Sequence, residues 1–378
     1  MFSIRGLSRA STQAARRVTK VACVPEAAAI ANTSRRRTLS STAAPPPFPT
    51  VDQCPSPTCP CAATPELPDG LEIDHTSPLN GVMTAYHQHV LVCTGRDDWP
   101  SRIEEDHSGD NLAADLRELF GRGGRYSDPY HNISVLNSSF PSSPLPGRAD
   151  VESTSAYLLP SFKHVPFLPR VSFDHVDALA RAYLLPERLH PAHDAESPVH
   201  RDRLVRQPAY RTALRGVADV RDVLVLACGH GGRDARCGIY GPVLRAEFER
   251  ALPRLGVRVL HGPVRLPEAD DGGGSDGAEK ELPAAGDAER GDVHCTARVG
   301  LISHIGGHKF AGNVIVYLPP GLRDYRGEPH ALAGHGIWYG RVEPRHVEGI
   351  ISETIRKGVV IKELFRGGIT RDSKILRL

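Results

Sequence analysis

Four side chains that can bind transition metals lie in two short glycine-rich segments. Cys228 and Cys237 are the two ends of the segment CGHGGRDARC, and His304 and His308 are the two ends of the segment HIGGH. Thiolates are soft, strongly donating ligands that suit iron and zinc, and imidazole binds both of these metals. The residue types and their spacing therefore predict a metal site built from all four side chains.

Glycine is concentrated beside these four residues. Gly229, Gly231 and Gly232 follow the first cysteine, and Gly306 and Gly307 separate the two histidines. Glycine adopts backbone conformations that other residues avoid, and it lets the backbone approach an inorganic core closely. The glycine pair also disfavours a helix between the histidines. We therefore expect a loop that wraps round the metal.

The residues alone leave three kinds of site open. Structural zinc is often bound by two cysteines and two histidines, but its cysteines usually come from a knuckle with two to four residues between them. Here eight residues separate Cys228 from Cys237, which is a wider arc and favours a two-iron core. A catalytic dithiol is less favoured, because such pairs usually have the spacing C-x2-C.

Strands and helices predicted round the four residues explain how they could meet. The apolar run at residues 223–226 predicts a buried strand that ends at Cys228, and residues 299–303 predict a strand that ends before His304. Loops that leave neighbouring strands can converge on one point. A helix with apolar residues at helical spacing is predicted to begin at Pro242.

The coarse order of elements predicts an α/β (α+β) chain with two folded regions. Residues 216–378 show the order β-α-β-β-β-α, which is typical of a thioredoxin-like domain with a mixed sheet. Residues 70–215 are predicted to be an N-terminal α/β domain, and a diverged copy of the second, since a strand there also ends near a cysteine, Cys93. Residues 45–69 form a joint rich in proline and cysteine. Residues 268–291 are predicted to be a flexible acidic insert, because they can bury too little apolar surface to offset ordering entropy.

The first 44 residues have the composition of a mitochondrial presequence. They hold eight arginines and lysines, many serines and threonines, and the single acid Glu26. We interpret residues 1–44 as an import signal, which implies the mitochondrial import machinery as a partner and the matrix as the destination. The eight cysteines of the chain would then face a thiol-reducing compartment, where clusters of Cys and His indicate metal or redox chemistry rather than a disulfide scaffold.

Charge and hydropathy exclude two classes of function. The chain has a net charge of +2, and because the leader is strongly basic, the rest of the chain is mildly acidic. This balance gives no reason to predict nucleic-acid binding. No apolar run approaches the roughly 18 residues that a membrane-spanning helix needs, so no membrane span is predicted.

Four segments of the chain resemble one known family, the sucrase/ferredoxin-like proteins, which are thioredoxin-like ferredoxins. The segments are ACGH at residues 227–230, CG at 237–238, SHIGGHKFAGN at 303–313 and WYGRV at 338–342. The resemblance covers most of residues 50–378. It implies a [2Fe–2S] cluster held by two cysteines and two histidines, which match Cys228, Cys237, His304 and His308 here.

A cluster of this kind predicts an electron-transfer protein with no substrate pocket and no catalytic residue, rather than an enzyme. Its partners would be a redox protein that the sequence does not identify and the iron–sulfur assembly machinery. His230, which is close to Cys228 in the chain, is predicted to support the ligands without binding the cluster itself. Lys309, Trp338 and Arg341 are predicted to shape the cluster pocket or a docking face.

Two other hypotheses remain beside the electron carrier. One is a thiol-redox or quality-control factor, in which the cluster senses oxidation and Cys54, Cys59 and Cys61 of the joint act. The other is a structural zinc protein. Cys93 and Cys295 are predicted to be buried thiols.

The basic leader generates the first testable prediction. The mature protein is expected to begin between residues 38 and 50, just after the triplet Arg35-Arg36-Arg37. N-terminal sequencing of protein recovered from mitochondria measures this directly. An intact Met1 in that fraction would contradict it.

Overall fold

The computed structural model of the chain describes residues 46–107, 111–144, 152–264 and 295–378. The predicted presequence, residues 1–44, and the predicted acidic insert, residues 268–291, lie outside the described residues.

The described residues contain fourteen β-strands and five α-helices. The strands are β1 (Thr50–Val51), β2 (Gln88–Cys93), β3 (Ile133–Ser138), β4 (Ser153–Leu159), β5 (Lys163–Pro169), β6 (Ala218–Asp219), β7 (Val223–Cys228), β8 (Arg258–Val259), β9 (Thr296–Ile302), β10 (Val314–Leu318), β11 (His335–Tyr339), β12 (Val360–Ile361), β13 (Phe365–Ile369) and β14 (Ile375–Leu376). The helices are α1 (Leu112–Phe120), α2 (Asp174–Leu179), α3 (Pro198–Leu204), α4 (Ala235–Arg254) and α5 (Pro344–Gly349). π-Helical turns continue α2 through Ala180–Leu184 and α5 through Ile350–Arg356.

One mixed sheet runs through the described part of the chain. Its strand order is β14-β13-β11-β10-β7-β9-β3-β2-β4-β5-β6, with β8 also paired to β9. The pairs β2–β3 and β7–β9 are long and parallel, whereas β4, β5, β10 and β11 pair antiparallel with their neighbours. The arrangement confirms the predicted α/β fold class with a mixed sheet. The domain division at residue 216 stays a prediction.

The two halves of the sheet have the same topology. In the N-terminal half, β2 pairs parallel with β3 and antiparallel with β4, which pairs antiparallel with β5. In the C-terminal half, β7 pairs parallel with β9 and antiparallel with β10, which pairs antiparallel with β11. The halves meet where β3 pairs antiparallel with β9, with Ser138 opposite Ile302. The N-terminal half therefore has the topology expected of a diverged copy.

Alternate residues of β7 pack into two different cores, because successive side chains of a strand point to opposite faces of a sheet. Val223, Val225 and Ala227 pack with Leu244 and Phe248 of α4. On the other face, Leu224, Leu226 and Cys228 belong to a second core together with Trp338 and aromatic residues of both halves. Every residue of β7 is buried, which is typical of a strand covered on both faces.

The predicted start of the helix α4 is wrong by seven residues. The helix begins at Ala235, not at Pro242, which lies within it. The Asp234 side chain accepts a hydrogen bond from the Arg236 N–H and so caps the helix. In the sequence, Pro242 is a more conspicuous start signal for a helix than the Asp234 cap. As a result, Cys237 lies in a helix and not in a loop.

Among the described helices, none combines the length and the apolar composition that a membrane crossing requires.

Candidate metal centre

The ends of two parallel strands bring the predicted ligands to one edge of the sheet. Cys228 is the last residue of β7 and lies opposite Ile302, the last residue of β9. His304 follows two residues after β9 ends. Because parallel strands end on the same side, the segments that follow them leave the sheet side by side. The register of β7 and β9 is therefore what places His304 beside Cys228.

Three of the four predicted ligands form a close group. The ligand atoms of Cys228, Cys237 and His304 all lie within 4.8 Å of one another. Among the residues that the structure describes, this is the one group of three or more Cys, His, Asp or Glu side chains with that proximity. Both cysteines are buried, and His304 is half-buried. The predicted thiols and one predicted imidazole thus face a common point.

His308 lies next to this group and not within it. Its ring centroid is 5.4 Å from that of His304. The His308 side chain is 46% exposed, and its Nε2 atom lies 4.0 Å from the Asp234 carboxylate. The fourth predicted ligand is therefore adjacent to the other three and is the most exposed of the set.

The hydrogen bonding of two imidazole nitrogens indicates whether these residues could bind a metal. The Nδ1 atoms of His304 and His308 are both buried and have no hydrogen-bond partner in the described structure. Buried polar atoms are nearly always satisfied, so an unpartnered one requires an explanation. Two such nitrogens beside two buried thiols have the donor chemistry that a metal centre uses, and the residues fit the predicted group.

Two glycines bring α4 against the Cys228 loop. A Cβ atom on Gly238 would lie 2.6 Å from the Gly231 Cα atom, and a Cβ atom on Gly241 would lie 2.5 Å from the Gly229 Cα atom. Real Cβ contacts are longer, so only glycine permits this approach. Because Cys237 precedes these glycines in the same helix, the close packing carries its thiol to Cys228.

The start of α4 places Cys237 next to the helix cap. Cys237 is the third residue of this helix of 20 residues, where the N-terminal end of the macrodipole favours negative charge. A hydrogen bond from the Arg236 guanidinium keeps the pKa of the neighbouring Asp234 carboxyl below its usual range. The helix cap is therefore charged at neutral pH.

A hydrogen bond joins the two thiols. A hydrogen bond from Cys237 lowers the pKa of Cys228 well below its usual range, against the effect of burial, and the His304 imidazole lowers it further. The hydrogen bond to Cys228 raises the pKa of Cys237, and burial adds to that rise. These interactions favour the thiolate form of Cys228, which is the form that coordinates metals.

His230 fixes the backbone of His304. Its Nδ1 atom accepts a hydrogen bond of 3.0 Å from the His304 N–H. Its Nε2 atom then donates to the carbonyl oxygens of Trp99 and Pro100, at 3.0 and 2.9 Å. His230, predicted to support the ligands, thus links the C-terminal ligand loop to a loop of the N-terminal half.

The other predicted pocket residues have different roles. Trp338 lines a cavity of about 200 Å³ together with His304, Tyr86 and His89. Lys309 and Arg341 instead bind the segment that begins at Asp74. The Lys309 ammonium lies 2.8 Å from the Asp74 carboxylate, and the Arg341 Nε atom donates to the Asp74 carbonyl oxygen.

Two residues of the site were missed by sequence reasoning. Arg366 of β13 is buried, and its Nη1 atom donates to the Asn313 Oδ1 atom at 2.6 Å. Asn313 in turn donates to the Gly307 carbonyl oxygen at 3.0 Å. The available signal was an arginine inside an otherwise apolar segment, FRGGI.

The cysteines of the joint lie apart from this centre. The Cys54 thiol lies 3.5 Å from the His346 carbonyl oxygen, and burial raises its pKa to about 12. Cys59 and Cys61 are half-buried and line a cavity of about 230 Å³ beside Arg250. The thiol-redox hypothesis for these residues stays a prediction.

Of the two remaining predicted thiols, Cys93 is buried and Cys295 is half-buried. Burial raises their pKa values to about 12 and about 11.

The loop between the histidines generates a prediction about Gly307. Gly306 and Gly307 have φ values of 80° and 72°, so alanine at either position is strained by about 1–2 kcal/mol. A Cβ atom on Gly307 would also lie 2.6 Å from the Arg366 guanidinium, whereas none of the structure lies within 4 Å of one on Gly306. In urea unfolding, Gly307→Ala is expected to lose more stability than its matched control Gly306→Ala. Equal losses would show that the loop does not press on Arg366.

Comparisons with known proteins agree on one family. The sucrase/ferredoxin-like family model matches residues 79–367. Altered inheritance of mitochondria protein 32 of Meyerozyma guilliermondii is 28% identical over 84% of this chain and 94% of its own length. The protein of the same name from Debaryomyces hansenii is 28% identical over 84% of this chain and 96% of its own length. No solved structure matches. Since the family model spans most of the chain and includes all four residues of the candidate centre, the chain belongs to the sucrase/ferredoxin-like family.

Proposed function

We propose that this protein is an electron carrier whose [2Fe–2S] cluster is held by Cys228, Cys237, His304 and His308. The observation that carries the proposal is the group of two thiols and one imidazole within 4.8 Å, beside a second imidazole. The unpartnered Nδ1 atoms of both histidines support it. The family's description as ferredoxin-like agrees with it.

The donor set supports an electron carrier of relatively high potential. When bound, a [2Fe–2S] cluster would supply one-electron transfer. Cys228 and Cys237 bring two negative charges as thiolates, and the two neutral imidazoles bring none. Four thiolates would bring two more negative charges and make an added electron less favourable. His ligation is accordingly associated with higher potentials than all-cysteine ligation.

The exposure of the ligands supports transfer to a protein partner. The thiols of Cys228 and Cys237 are buried, so solvent is kept from the sulfurs. His308 is 46% exposed and would be the ligand nearest a docked partner. Electron transfer at the edge of an exposed imidazole requires no substrate pocket, which is consistent with a carrier rather than an enzyme.

The proposed site of action is the mitochondrial matrix. The basic composition of residues 1–44 is that of an import signal. The names of the relatives in Meyerozyma guilliermondii and Debaryomyces hansenii refer to the inheritance of mitochondria.

A structural zinc ion is the second candidate, favoured by the compactness of the group formed by Cys228, Cys237 and His304. Colour and metal content separate the two. Protein purified without oxygen is expected to be reddish-brown and to contain iron and acid-labile sulfide. A colourless preparation with one zinc per chain would establish the zinc site and end the electron-carrier proposal.

Serine substitution of the cysteines tests the ligands. Cys228→Ser and Cys237→Ser are each expected to abolish stable cluster incorporation, because a hydroxyl is a far weaker donor to iron than a thiolate at neutral pH. Cys93→Ser is the matched control, since Cys93 is also a buried cysteine at the end of a parallel strand. Its iron content is expected to equal that of the wild type.

The readouts are iron and sulfide content and the electron paramagnetic resonance spectrum of dithionite-reduced protein. A wild-type spectrum typical of a reduced two-iron centre, lost in both ligand variants, is the expected result. Full iron and sulfide occupancy in Cys228→Ser would remove that residue from the centre.

A further inference from the structure

Arg366 carries a buried positive charge for which the described residues provide no carboxylate. The side chain is 2% exposed and is among the largest fully buried side chains. Its hydrogen-bond acceptors are neutral, namely the carbonyl oxygens of Val82 and Gly306, at 3.0 and 3.3 Å, and the Asn313 amide oxygen at 2.6 Å. No ion pair of Arg366 occurs within the described ranges. Burying an unpaired charge is costly, so a compensating anion is expected nearby.

The backbone of β13 is irregular at this residue. Along the β11–β13 pairing, Trp338 lies opposite Gly367 and Tyr339 lies opposite Phe365, which leaves Arg366 as the extra residue of a β-bulge. A bulge redirects a side chain, and bulges often occur next to functional sites. Here the bulge turns an arginine inward from a strand whose five residues are all buried.

The guanidinium lies against the histidine loop. A Cβ atom on Gly307 would come within 2.6 Å of the Arg366 Nη2 atom, so the two groups are in contact. The guanidinium also lies 5.7 Å from the centre of the Trp338 ring and 5.9 Å from that of Phe310. The guanidinium therefore lies against the segment that separates His304 from His308, and close to two aromatic rings.

The candidate centre would supply anions that act on this charge. Burial lowers the pKa of Arg366 to about 10, and the charges of Cys228 and Cys237 oppose that decrease. The arginine remains cationic at neutral pH. Among the described residues, the thiolates that the candidate centre would contain are thus the anions that would balance this charge.

We propose that Arg366 is the buried counter-charge of this centre and favours its reduced state. The inference rests on the proposed function. With a cluster bound, the centre would take one electron from a reduced partner protein, no bond would form or break, and the centre would become more negative by one charge. A fixed cation in a region of low dielectric stabilises that state more than the oxidised one. Arg366 is a positioning residue, because it acts through the ligand loop and through its field.

The test is the reduction potential of the purified, cluster-loaded full chain and three variants. Arg366→Met removes the charge and keeps most of the volume, and Arg366→Lys keeps the charge. Arg298→Met is the matched control, because Arg298 is also buried but pairs with Asp222. It lies four residues before Ile302 on β9, away from the ligand loop.

Arg366→Met is expected to keep the spectrum of a two-iron centre and to weaken reduction by about tenfold, which is a decrease of about 59 mV for a one-electron couple. Arg366→Lys is expected to recover most of this loss, and Arg298→Met to behave as the wild type. A cluster-containing Arg366→Met protein with the wild-type potential would overturn the inference and leave the proposed function intact. A wild type without a two-iron spectrum would instead end the proposed function.

Loss of the cluster in Arg366→Met is also decisive, through two further variants. Arg366→Gln keeps hydrogen-bonding capacity without charge. If Arg366→Lys loads a cluster and Arg366→Gln does not, the site needs the charge, which supports the inference. If Arg366→Lys fails as well, the site needs the shape of the guanidinium, and the counter-charge role is wrong.

Discussion

The candidate centre depends on the parallel pairing of β7 with β9. This register sets Cys228 opposite Ile302, so that the loop carrying His304 leaves the sheet beside the cysteine. A shift of one residue would turn Cys228 to the opposite face of the sheet and into the wrong core. The close packing of α4 through Gly238 and Gly241 brings Cys237 to Cys228. With this register, Cys237 therefore meets both Cys228 and His304.

The two halves of the sheet share a topology but have different roles at the candidate centre. Cys93 ends β2 as Cys228 ends β7, yet in the described N-terminal half no second cysteine or histidine joins it in a metal-binding group. That half instead supports the centre. Its Trp99 and Pro100 carbonyl oxygens hold His230, which holds the backbone of His304. The C-terminal half thus supplies the candidate ligands, and the N-terminal half supplies the backbone oxygens that hold His230 in place.

Charge is distributed unusually round the centre. The region contains a hydrogen-bonded pair of buried thiols and a buried guanidinium with neutral hydrogen-bond partners. Each arrangement is costly without the other, since isolated buried charges are poorly solvated. The loop of Gly306 and Gly307 lies between the two, with its carbonyl oxygens bound by Arg366 and Asn313. Electrostatics and loop geometry are therefore coupled at this site.

The sequence alone identified the three side chains that the structure groups together, the fold class and the strands next to these side chains, because they depend on local residue types and on short-range periodicity. Cys228, His304 and the limits of β7 are examples. The entry of Cys237 into a helix was missed, since the local cap at Asp234 competed with a more conspicuous proline.

Only the tertiary structure decided which groups surround the donors. Arg366 is 58 residues from His308 in the chain, and a bulge that depends on pairing with β11 turns it inward. The continuous sheet through β3 and β9 likewise rests on contacts between distant segments. Such contacts depend on the packing of elements that no local pattern encodes, so they are visible only when the chain has folded.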